Sequence, residues 1–342
     1  MARGKGVTIR DVARRAGVSI TAVSHSLNGK GTISEETRAR VKAAADELGY
    51  QADAFARGMR QGSIGAIGLV MRSLDALGDY TPAGVDVFER FAGILSSRAL
   101  ARGLSLTLVP DLTRSPVPPL AFSMDGYVIM SPNAQDPVID LLERRGIPYV
   151  CYGKRLDNAD FTHWSSEDDP LAARQILAHF EAAGAREVVL VSGTDRNAWN
   201  ADFLQEYLAW CGRHGVTPRV YEQSERSGLD GGHEAGRRIL ADGVPEAVFC
   251  MTGRHAAGVQ QEILAAGLNV PGQVMIAAAS DSEHARSSRP AITAFELNPA
   301  GTADLLLDML QELLKTGQTV GPRLTRARLR PRASTRTSAR RE

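Results

Sequence analysis

The sequence has few cysteines and no long hydrophobic run, and each absence excludes a class of protein. Its three cysteines, Cys151, Cys211 and Cys250, are odd in number and widely spaced, so they predict neither a disulfide framework nor a zinc site. No apolar run approaches the roughly 18 residues of a membrane span, and no apolar signal core follows the basic start. We therefore expect a protein of the reducing cytoplasm, associated with the nucleoid if it binds DNA, with no metal and no cofactor.

The net charge is also small, but the charge is unevenly distributed. The net charge of +1 comes from 11 Lys/Arg and 6 Asp/Glu in residues 1–60, 8 Arg and one Glu in residues 323–342, and 21 basic and 32 acidic residues elsewhere. A basic head on an acidic body suits binding to a polyanion. Charge alone does not distinguish nucleic acid from an anionic membrane surface.

A helix-turn-helix is predicted between Thr8 and Leu27. Thr8 and Asp11 have the spacing of a capping box at a helix start. Gly17 suits the left-handed residue that ends this helix, and Ser19 can cap the next one. The alternative is an ordinary helical hairpin in a larger core. The helix-turn-helix favours nucleic acid over a membrane as the partner.

The second helix of such a motif presents its outward residues to base edges in the major groove. Ile20 can pack against a thymine methyl, Thr21 can bond a base or phosphate, and His25 can donate to a guanine acceptor. Further DNA contacts are expected from Thr8, Arg14, Arg15, Ser19, Ser24, Asn28 and Lys30. Since one head offers few base contacts, we expect a dimer on a site with two-fold symmetry.

The head continues to residue 50 and is followed by a linker. Ser34, Glu35 and Glu36 open a third helix with a cap and two acids at its positive end. Residues 51–62 include a short helical candidate at 53–60, which is too short to be stable alone in water. It either folds against DNA or is a plain linker.

From residue 64 the pattern changes to alternating apolar runs and amphipathic helices, which is typical of parallel sheets with helices on both faces. Strands are predicted at 64–71, 104–109, 126–130, 147–152, 187–191, 219–222, 247–251 and 274–279, with at most one more in 323–332. Helices are predicted at 85–101, 137–145, 170–182, 203–213, 232–240, 256–266 and 305–314. This length suits two α/β subdomains with a ligand cleft between them.

No catalytic set is visible in the body. The acids Glu167, Asp168 and Asp169 could serve metal or acid–base chemistry, but acids before Pro170 also have a structural role at a helix start, which we favour. An enzyme is therefore not expected. The remaining enzyme hypothesis is an α/β protein acting on a sugar or nucleotide with a DNA-targeting head.

The head closely resembles the lac-repressor (LacI/GalR) family of bacterial transcription regulators. The resemblance is carried by residues 7–28 and by the Ser-Glu-Glu-Thr-Arg start and Glu-Leu-Gly-Tyr end of the third helix. It continues more weakly through residues 54–59, 67–70, 146–148, 266–271 and 332–335, and so covers nearly the whole chain.

The resemblance implies a homodimeric repressor of a pseudo-palindromic operator, with a body similar to periplasmic sugar-binding proteins and a small effector in its cleft. The hinge helix folds on DNA, where Ala56, Met59 and Arg60 are expected to contact it, Met59 as the minor-groove wedge. Residues about 63–164 plus 292–320 form the first subdomain, about 165–291 plus 321–331 the second, and 332–342 a disordered basic tail.

Several departures from the family pattern concern the ligand and the operator. Phe203, Thr252, Gly253 and Ser280 stand where the family often has polar sugar-binding residues, and His25 replaces its usual Arg. The effector is therefore expected to be of another class than sugars, or the body serves only for dimerisation. Residues assigned to the effector site are Asp75, Tyr80, Asp168, Trp199, Phe203, Thr252, Ser280 and Asp281. Trp199 and Phe203 are equally compatible with a ligand wall and with core.

Overall fold

The structure is a computed structural model that describes residues 7–27, 31–50, 63–72, 86–318 and 321–336. The chain forms two compact units, Met1–Ile64 and Gly65–Glu342. Within the described ranges, no helix has both the length and the apolar character needed to cross a membrane. The predicted hinge segment at 53–60 lies outside the described residues.

Within its described residues, the N-terminal unit contains three helices, α1 (Ile9–Ala16), α2 (Ile20–Leu27) and α3 (Glu35–Glu47). They enclose a small apolar core that includes Val12, Val23 and Val41, all fully buried. Gly17 ends α1 with φ of +64°, a left-handed backbone angle that glycine adopts without steric penalty. The Ser19 hydroxyl accepts from the Ala22 N–H at 3.1 Å, which caps α2. The predicted helix-turn-helix is confirmed.

The C-terminal unit alternates strands and helices along the chain. Its strands are β1 (Ala66–Met71), β2 (Ser105–Val109), β3 (Gly126–Met130), β4 (Tyr149–Tyr152), β5 (Trp164–Glu167), β6 (Val188–Gly193), β7 (Val220–Gln223), β8 (Ala247–Cys250), β9 (Met275–Ala278), β10 (Thr293–Glu296), β11 (Arg323–Thr325) and β12 (Arg328–Arg330). Its helices are α4 (Asp86–Ala101), α5 (Pro137–Arg144), α6 (Asp169–Ala182), α7 (Ala198–His214), α8 (Gly228–Ala241), α9 (Gly253–Ala265), α10 (Glu283–Ser287) and α11 (Pro299–Thr316).

The strands form two six-stranded sheets, each the centre of one lobe. The first lobe has the order β11-β5-β4-β3-β1-β2, and all its neighbouring strands are parallel. Its two faces are covered by α4 with α11 and by α5. The second lobe has the order β12-β10-β9-β8-β6-β7, and only β12 is antiparallel. Its faces are covered by α6 with α7 and by α8 to α10. The predicted two-lobed α/β class is confirmed.

Three connections link the lobes, and they correct the predicted lobe boundaries. The chain crosses after β5, after β10 and between β11 and β12. Strand β5 was assigned partly to the second lobe, yet its Ser165 pairs with Arg323 in the first sheet, so β11 also belongs there. Strand β10 was assigned to the first lobe, yet Thr293 pairs with Ala277 of the second sheet. Sheet pairing, which links distant segments, decides membership.

The beginning of the predicted basic tail is ordered, which corrects its assignment to a disordered segment from residue 332. The Ser334 hydroxyl, fully buried, donates to the Ile276 carbonyl at 2.6 Å. The Thr335 hydroxyl shares a 2.7 Å hydrogen bond with the Thr293 hydroxyl. Short polar side chains anchor this segment to the second sheet by hydrogen bonding, so apolar residues are not required. Residues 337–342 lie outside the described ranges.

Candidate DNA interface and ligand cleft

The exposed side of α2 carries the residues predicted to read DNA. Ile20 has 45% of its surface exposed although it is a large apolar residue. Thr21 and His25 are also exposed, while Val23 between them is fully buried. The helix therefore presents Ile20, Thr21 and His25 outward because its opposite side is held in the core of the head.

Gly31 supports the His25 ring. Gly31 has φ of +74°, and a Cβ at this residue would lie 2.8 Å from Nδ1 of His25. The close approach of imidazole and glycine backbone restricts where the ring can lie. Local sequence patterns carry no signal for this contact, because it depends on where the tertiary structure places Gly31 relative to α2.

The other predicted DNA contacts of the head lie on its surface. The Asp11 carboxylate accepts from the Thr8 N–H at 3.0 Å and from its hydroxyl at 2.7 Å, and these bonds lower the pKa of Asp11. Asp11 also pairs with Arg14, and Arg15 pairs with Glu47. Exposed pairs of this kind are weak because water screens them, so both arginines can exchange them for phosphates. Ser24 is half-buried. Asn28, Lys30, Ala56, Met59 and Arg60 lie outside the described residues.

A cavity lies between the two lobes of the body. It is lined by segments that follow the carboxyl ends of β3 and β4 in one sheet and of β6, β7, β8 and β9 in the other. Its apolar wall includes Phe88, Tyr152 and Trp199, and its charged residues are Lys154, Glu167, Asp169, Asp195, Glu225 and Arg254. This is the cleft that parallel α/β lobes predict.

Two direct contacts close one side of this cleft. The Lys154 ammonium, which follows β4 of the first lobe, lies 2.6 Å from Oδ1 of Asp202 on α7 of the second lobe. The Ala134 N–H donates to the Arg196 carbonyl at 2.8 Å. The lobes are thus joined across the cleft as well as through the three crossovers.

Comparison with known proteins identifies the family. The model of bacterial regulatory proteins of the lacI family matches residues 8–53, and that of the periplasmic binding protein-like domain matches residues 177–335. The HTH-type transcriptional repressor PurR of Pectobacterium carotovorum is 30% identical over 302 residues, 84% of each chain. The chain belongs to the lacI family of bacterial regulatory proteins. It is therefore a DNA-binding transcriptional regulator.

Other lacI-family proteins agree with this assignment. The probable HTH-type transcriptional repressor ExuR of Bacillus subtilis is 26% identical over 275 residues, 79% of this chain and 80% of ExuR. A lac repressor dimer has been solved bound to operator and the anti-inducer ONPF, and its chain is 23% identical in sequence to this one. It matches with a TM-score of 0.80, covering 96% of this chain and 99% of the lac repressor chain. At this identity the structural match shows a common fold.

Among the predicted effector residues of this lacI-family chain, three line the cavity, namely Trp199, Thr252 and Ser280. Asp75 and Tyr80 lie outside the described residues. The remaining three residues do not line the cavity, because their side chains have structural partners elsewhere. Phe203 is 1% exposed in the core of the second lobe. Asp168 caps α6 by accepting from the Leu171 N–H at 3.0 Å. Asp281 forms a bidentate pair with Arg332, at 2.9 and 2.8 Å.

The structure also brings to the cavity charged residues that sequence reasoning missed or regarded as structural. Asp195 and Glu225 lie just beyond β6 and β7, and Lys154 lies just beyond β4. A position beyond the carboxyl end of a parallel strand was the available signal. Glu167 and Asp169 were predicted to serve a helix start, yet both line the cavity.

Two carboxyl groups of the cleft, those of Asp195 and Asp169, lie in an environment that raises their pKa. Burial, and secondarily the negative charge of Glu225, raises the pKa of Asp195 to about 6. Burial raises the pKa of Asp169 well above its usual range, with further contributions from Glu167 and Asp202 that outweigh Lys154. His255, behind the cavity on α9, is fully buried, and its pKa falls to about 4.

Proposed function

We propose that this chain represses transcription by binding a pseudo-palindromic operator as a homodimer, and that a small molecule in the cleft changes its DNA affinity. Its place of action is then the cytoplasm, at the nucleoid. The observation that carries the DNA-binding part is the exposed side of α2. An isoleucine, a threonine and a histidine project there from a well-packed three-helix core.

The chemistry of this side suits direct readout of bases. Ile20 can contact a thymine methyl, Thr21 a base or phosphate, and His25 a guanine N7 or O6. Arg14 and Arg15 at the end of α1 supply positive charge for phosphates, which sets affinity and register rather than sequence preference. Because each head reads few base pairs, two heads are needed for a useful operator, and a two-fold dimer supplies them.

The first lobe offers a surface for dimerisation. Strand β2 is the edge of its sheet, and Leu108 on this strand is 50% exposed. Leu100, near the end of the adjacent helix α4, is 65% exposed. An unpaired edge strand with exposed leucines is open to association with another chain. The lac repressor of similar fold was solved as a dimer, and we assign this edge to a second copy of the chain.

The cleft supports regulation by an effector. The lac repressor structure contains an anti-inducer, and here a cavity lies between two lobes that are linked by three crossovers. A ligand that binds one degree of lobe closure more tightly shifts the population toward that closure. The alternative, a body that serves only for dimerisation, predicts that no small molecule raises the thermal stability of the protein.

Binding to DNA from the chain's own promoter region tests the proposal. We expect the full chain to shift a palindromic site, with affinity that falls steeply as salt increases. Ile20→Ala and His25→Ala should each weaken specific binding by about tenfold. Ala43→Ser, an exposed change on α3, is the control and should leave binding unchanged. Specific binding that survives deletion of residues 1–62 contradicts the proposal. Catalytic turnover in a substrate screen would instead favour an enzyme with a DNA-targeting head.

A further inference from the structure

Among the described residues, the charged side chains that line the cleft are unequal in number. Four are acidic, Glu167, Asp169, Asp195 and Glu225, and two are basic, Lys154 and Arg254. This excess of carboxyl groups opposes an anionic ligand, unless the two basic groups are available to it.

Both basic groups already have partners within the protein. The Lys154 ammonium is paired with Asp202 at 2.6 Å. The Arg254 guanidinium donates to the Glu225 carbonyl at 2.8 Å. An anionic ligand would have to compete with these contacts while it approached four carboxyl groups.

Two of the four carboxyl groups already accept hydrogen bonds from the protein at both oxygens. Glu167 accepts from the Tyr152 hydroxyl at 2.6 Å and from the Asn298 N–H at 3.2 Å. Glu225 accepts from the Asn200 amide at 2.7 Å and from the Thr194 N–H at 3.2 Å. These bonds explain why both side chains are almost completely buried.

Asp169 and Asp195, which we call the carboxyl pair, differ from the other charged groups. Among residues in the described ranges, none donates a hydrogen bond to either side-chain carboxyl group. Both are half-buried at the wall of the cavity. A partly desolvated acceptor without a donor is costly, and a ligand that brings a donor removes this cost.

The apolar part of the cavity wall sets a second requirement for the ligand. Trp199, Tyr152 and Phe88 line the same cavity, and Trp199 meets Phe203 edge-on with ring centroids 6.0 Å apart. Aromatic rings offer both apolar surface and a negative face that attracts cations. A ligand suited to this cleft therefore combines an apolar or aromatic body with a positively charged donor.

The geometry points to an organic cation, an amine on an apolar or aromatic body, as the ligand class of this cleft, with its ammonium donating to Asp169 or to Asp195. The inference rests on the proposed function, in which the cleft is the effector site. It also accounts for the polar sugar-binding residues that are replaced at Phe203, Thr252 and Ser280. A neutral sugar could donate hydroxyls but would bring no positive charge to these carboxyl groups.

Calorimetric titration of the full chain with three compounds that share an indole body tests the ligand class. The compounds are tryptamine, a cation, tryptophol, a neutral alcohol, and indole-3-propionate, an anion. We expect tryptamine to bind at least about tenfold more tightly than the other two, the factor that corresponds to one charge-assisted hydrogen bond. Glucose serves as the sugar comparison and should bind more weakly than tryptamine.

Variants of the carboxyl pair test whether the preference for a cationic ligand depends on Asp169 and Asp195. Asp169→Asn and Asp195→Asn should each reduce tryptamine affinity about tenfold and leave tryptophol affinity nearly unchanged. Asp140→Asn on the exposed side of α5, outside the cavity, makes the same change of charge and is the matched control. Thermal unfolding of each variant reveals any that does not fold, and the ranking of compounds with the unmodified chain remains decisive in that case.

The outcomes separate this inference from the proposed function. A preference for indole-3-propionate, tryptophol or glucose, or no binding by any of the four compounds, overturns the cation class. Operator binding is measured on the same preparation without ligand. If operator binding is present while the cation fails, only the ligand class is wrong. If tryptamine binds as expected and operator DNA does not, the proposed function fails while the assignment of the cleft stands.

Discussion

The ammonium of Lys154 lies 2.6 Å from the carboxylate of Asp202 and joins the two lobes of the body. Lys154 is 37% exposed at its side chain and Asp202 is 10% exposed. The pair therefore lies at the edge of the cleft, partly screened by water. It holds together elements that belong to different sheets.

Removal of this pair should loosen the closed cleft. We expect Lys154→Met to lower the free energy needed to open the cleft by about 1 kcal/mol, the upper value for partly exposed pairs. The Ala134 N–H, which donates to Arg196 across the lobes, should then exchange its hydrogen about fivefold faster. Hydrogen exchange followed by mass spectrometry or NMR measures this.

The matched control is Arg174→Met, which removes an ion pair with Glu206 inside the second lobe. It changes the same number of charges but should leave exchange at Ala134 unaltered. Equal acceleration in both variants would mean that the Lys154 pair does not hold the lobes closed.

Asp195 should make the body less stable as the pH rises. Its pKa is about 6 in the folded chain against an ordinary 3.8, so the folded state binds more protons over this interval. The free energy of unfolding therefore falls as the pH increases from about 4 through 6. Compared with Asp195→Asn, the unmodified chain should lose about 1 kcal/mol between pH 5.0 and 7.5.

Urea unfolding of both proteins at the two pH values measures this difference. Asp140→Asn lies outside the cavity and should follow the unmodified chain at both values. If Asp195→Asn also follows it, Asp195 titrates as an ordinary exposed carboxyl group.

Gly31 should matter for DNA recognition through His25. In Gly31→Ala the new Cβ would lie 2.8 Å from His25 Nδ1, so the ring must move. Affinity for operator DNA should fall to nearly the level of His25→Ala, by about tenfold. Fluorescence anisotropy with a palindromic operator measures the effect.

Gly49→Ala separates this effect from backbone strain. Gly49 has φ of +63°, similar to Gly31, but a Cβ there has no neighbour within 4 Å. Both variants should lose about 1–2 kcal/mol of head stability. A comparable loss of operator affinity in Gly49→Ala would attribute the Gly31 result to strain alone.

The exposed edge of the first lobe should control assembly. Leu108→Glu places a charge on β2 at the proposed dimer contact, where burial of an unpaired carboxylate is unfavourable. We expect the dimer to dissociate to monomers, as measured by sedimentation velocity. Leu208→Glu on α7, with 43% exposure, is the matched control and should remain dimeric. A monomeric unmodified chain would contradict the proposal directly.

The sequence predicted most of the fold because its regular elements carry local signals. Eight strands and seven long helices of the body have apolar runs or helical periodicity, and all were located. Strand β5 was missed because its sequence, Trp-Ser-Ser-Glu, has no apolar run and becomes buried only through its neighbours in the sheet. The same holds for β10, in which Thr293 is fully buried by tertiary contacts.

For the site, local sequence patterns predicted which helices and strands form it better than they predicted which side chains line it. The outward direction of Ile20, Thr21 and His25 followed from helical periodicity and agrees with their exposure. The cleft was expected from parallel strands, but its lining was predicted only at Trp199, Thr252 and Ser280 among the described residues. Asp168 and Asp281 carry the same carboxyl group as Asp195, and only their partners in the structure distinguish them.

The sequence by itself determined the helix-turn-helix head, the two-lobed α/β class and the family, since capping spacing, periodicity and motifs are local properties of the chain. Only the tertiary structure decided which lobe received β5, β10 and β11, and which carboxyl groups have no donor among the residues that the structure describes. Hydrogen bonding and burial at those residues depend on segments distant in sequence, such as Arg332 beside Asp281 and Asn200 beside Glu225. Contacts between segments that are distant in sequence produce no periodic pattern of residues along the chain.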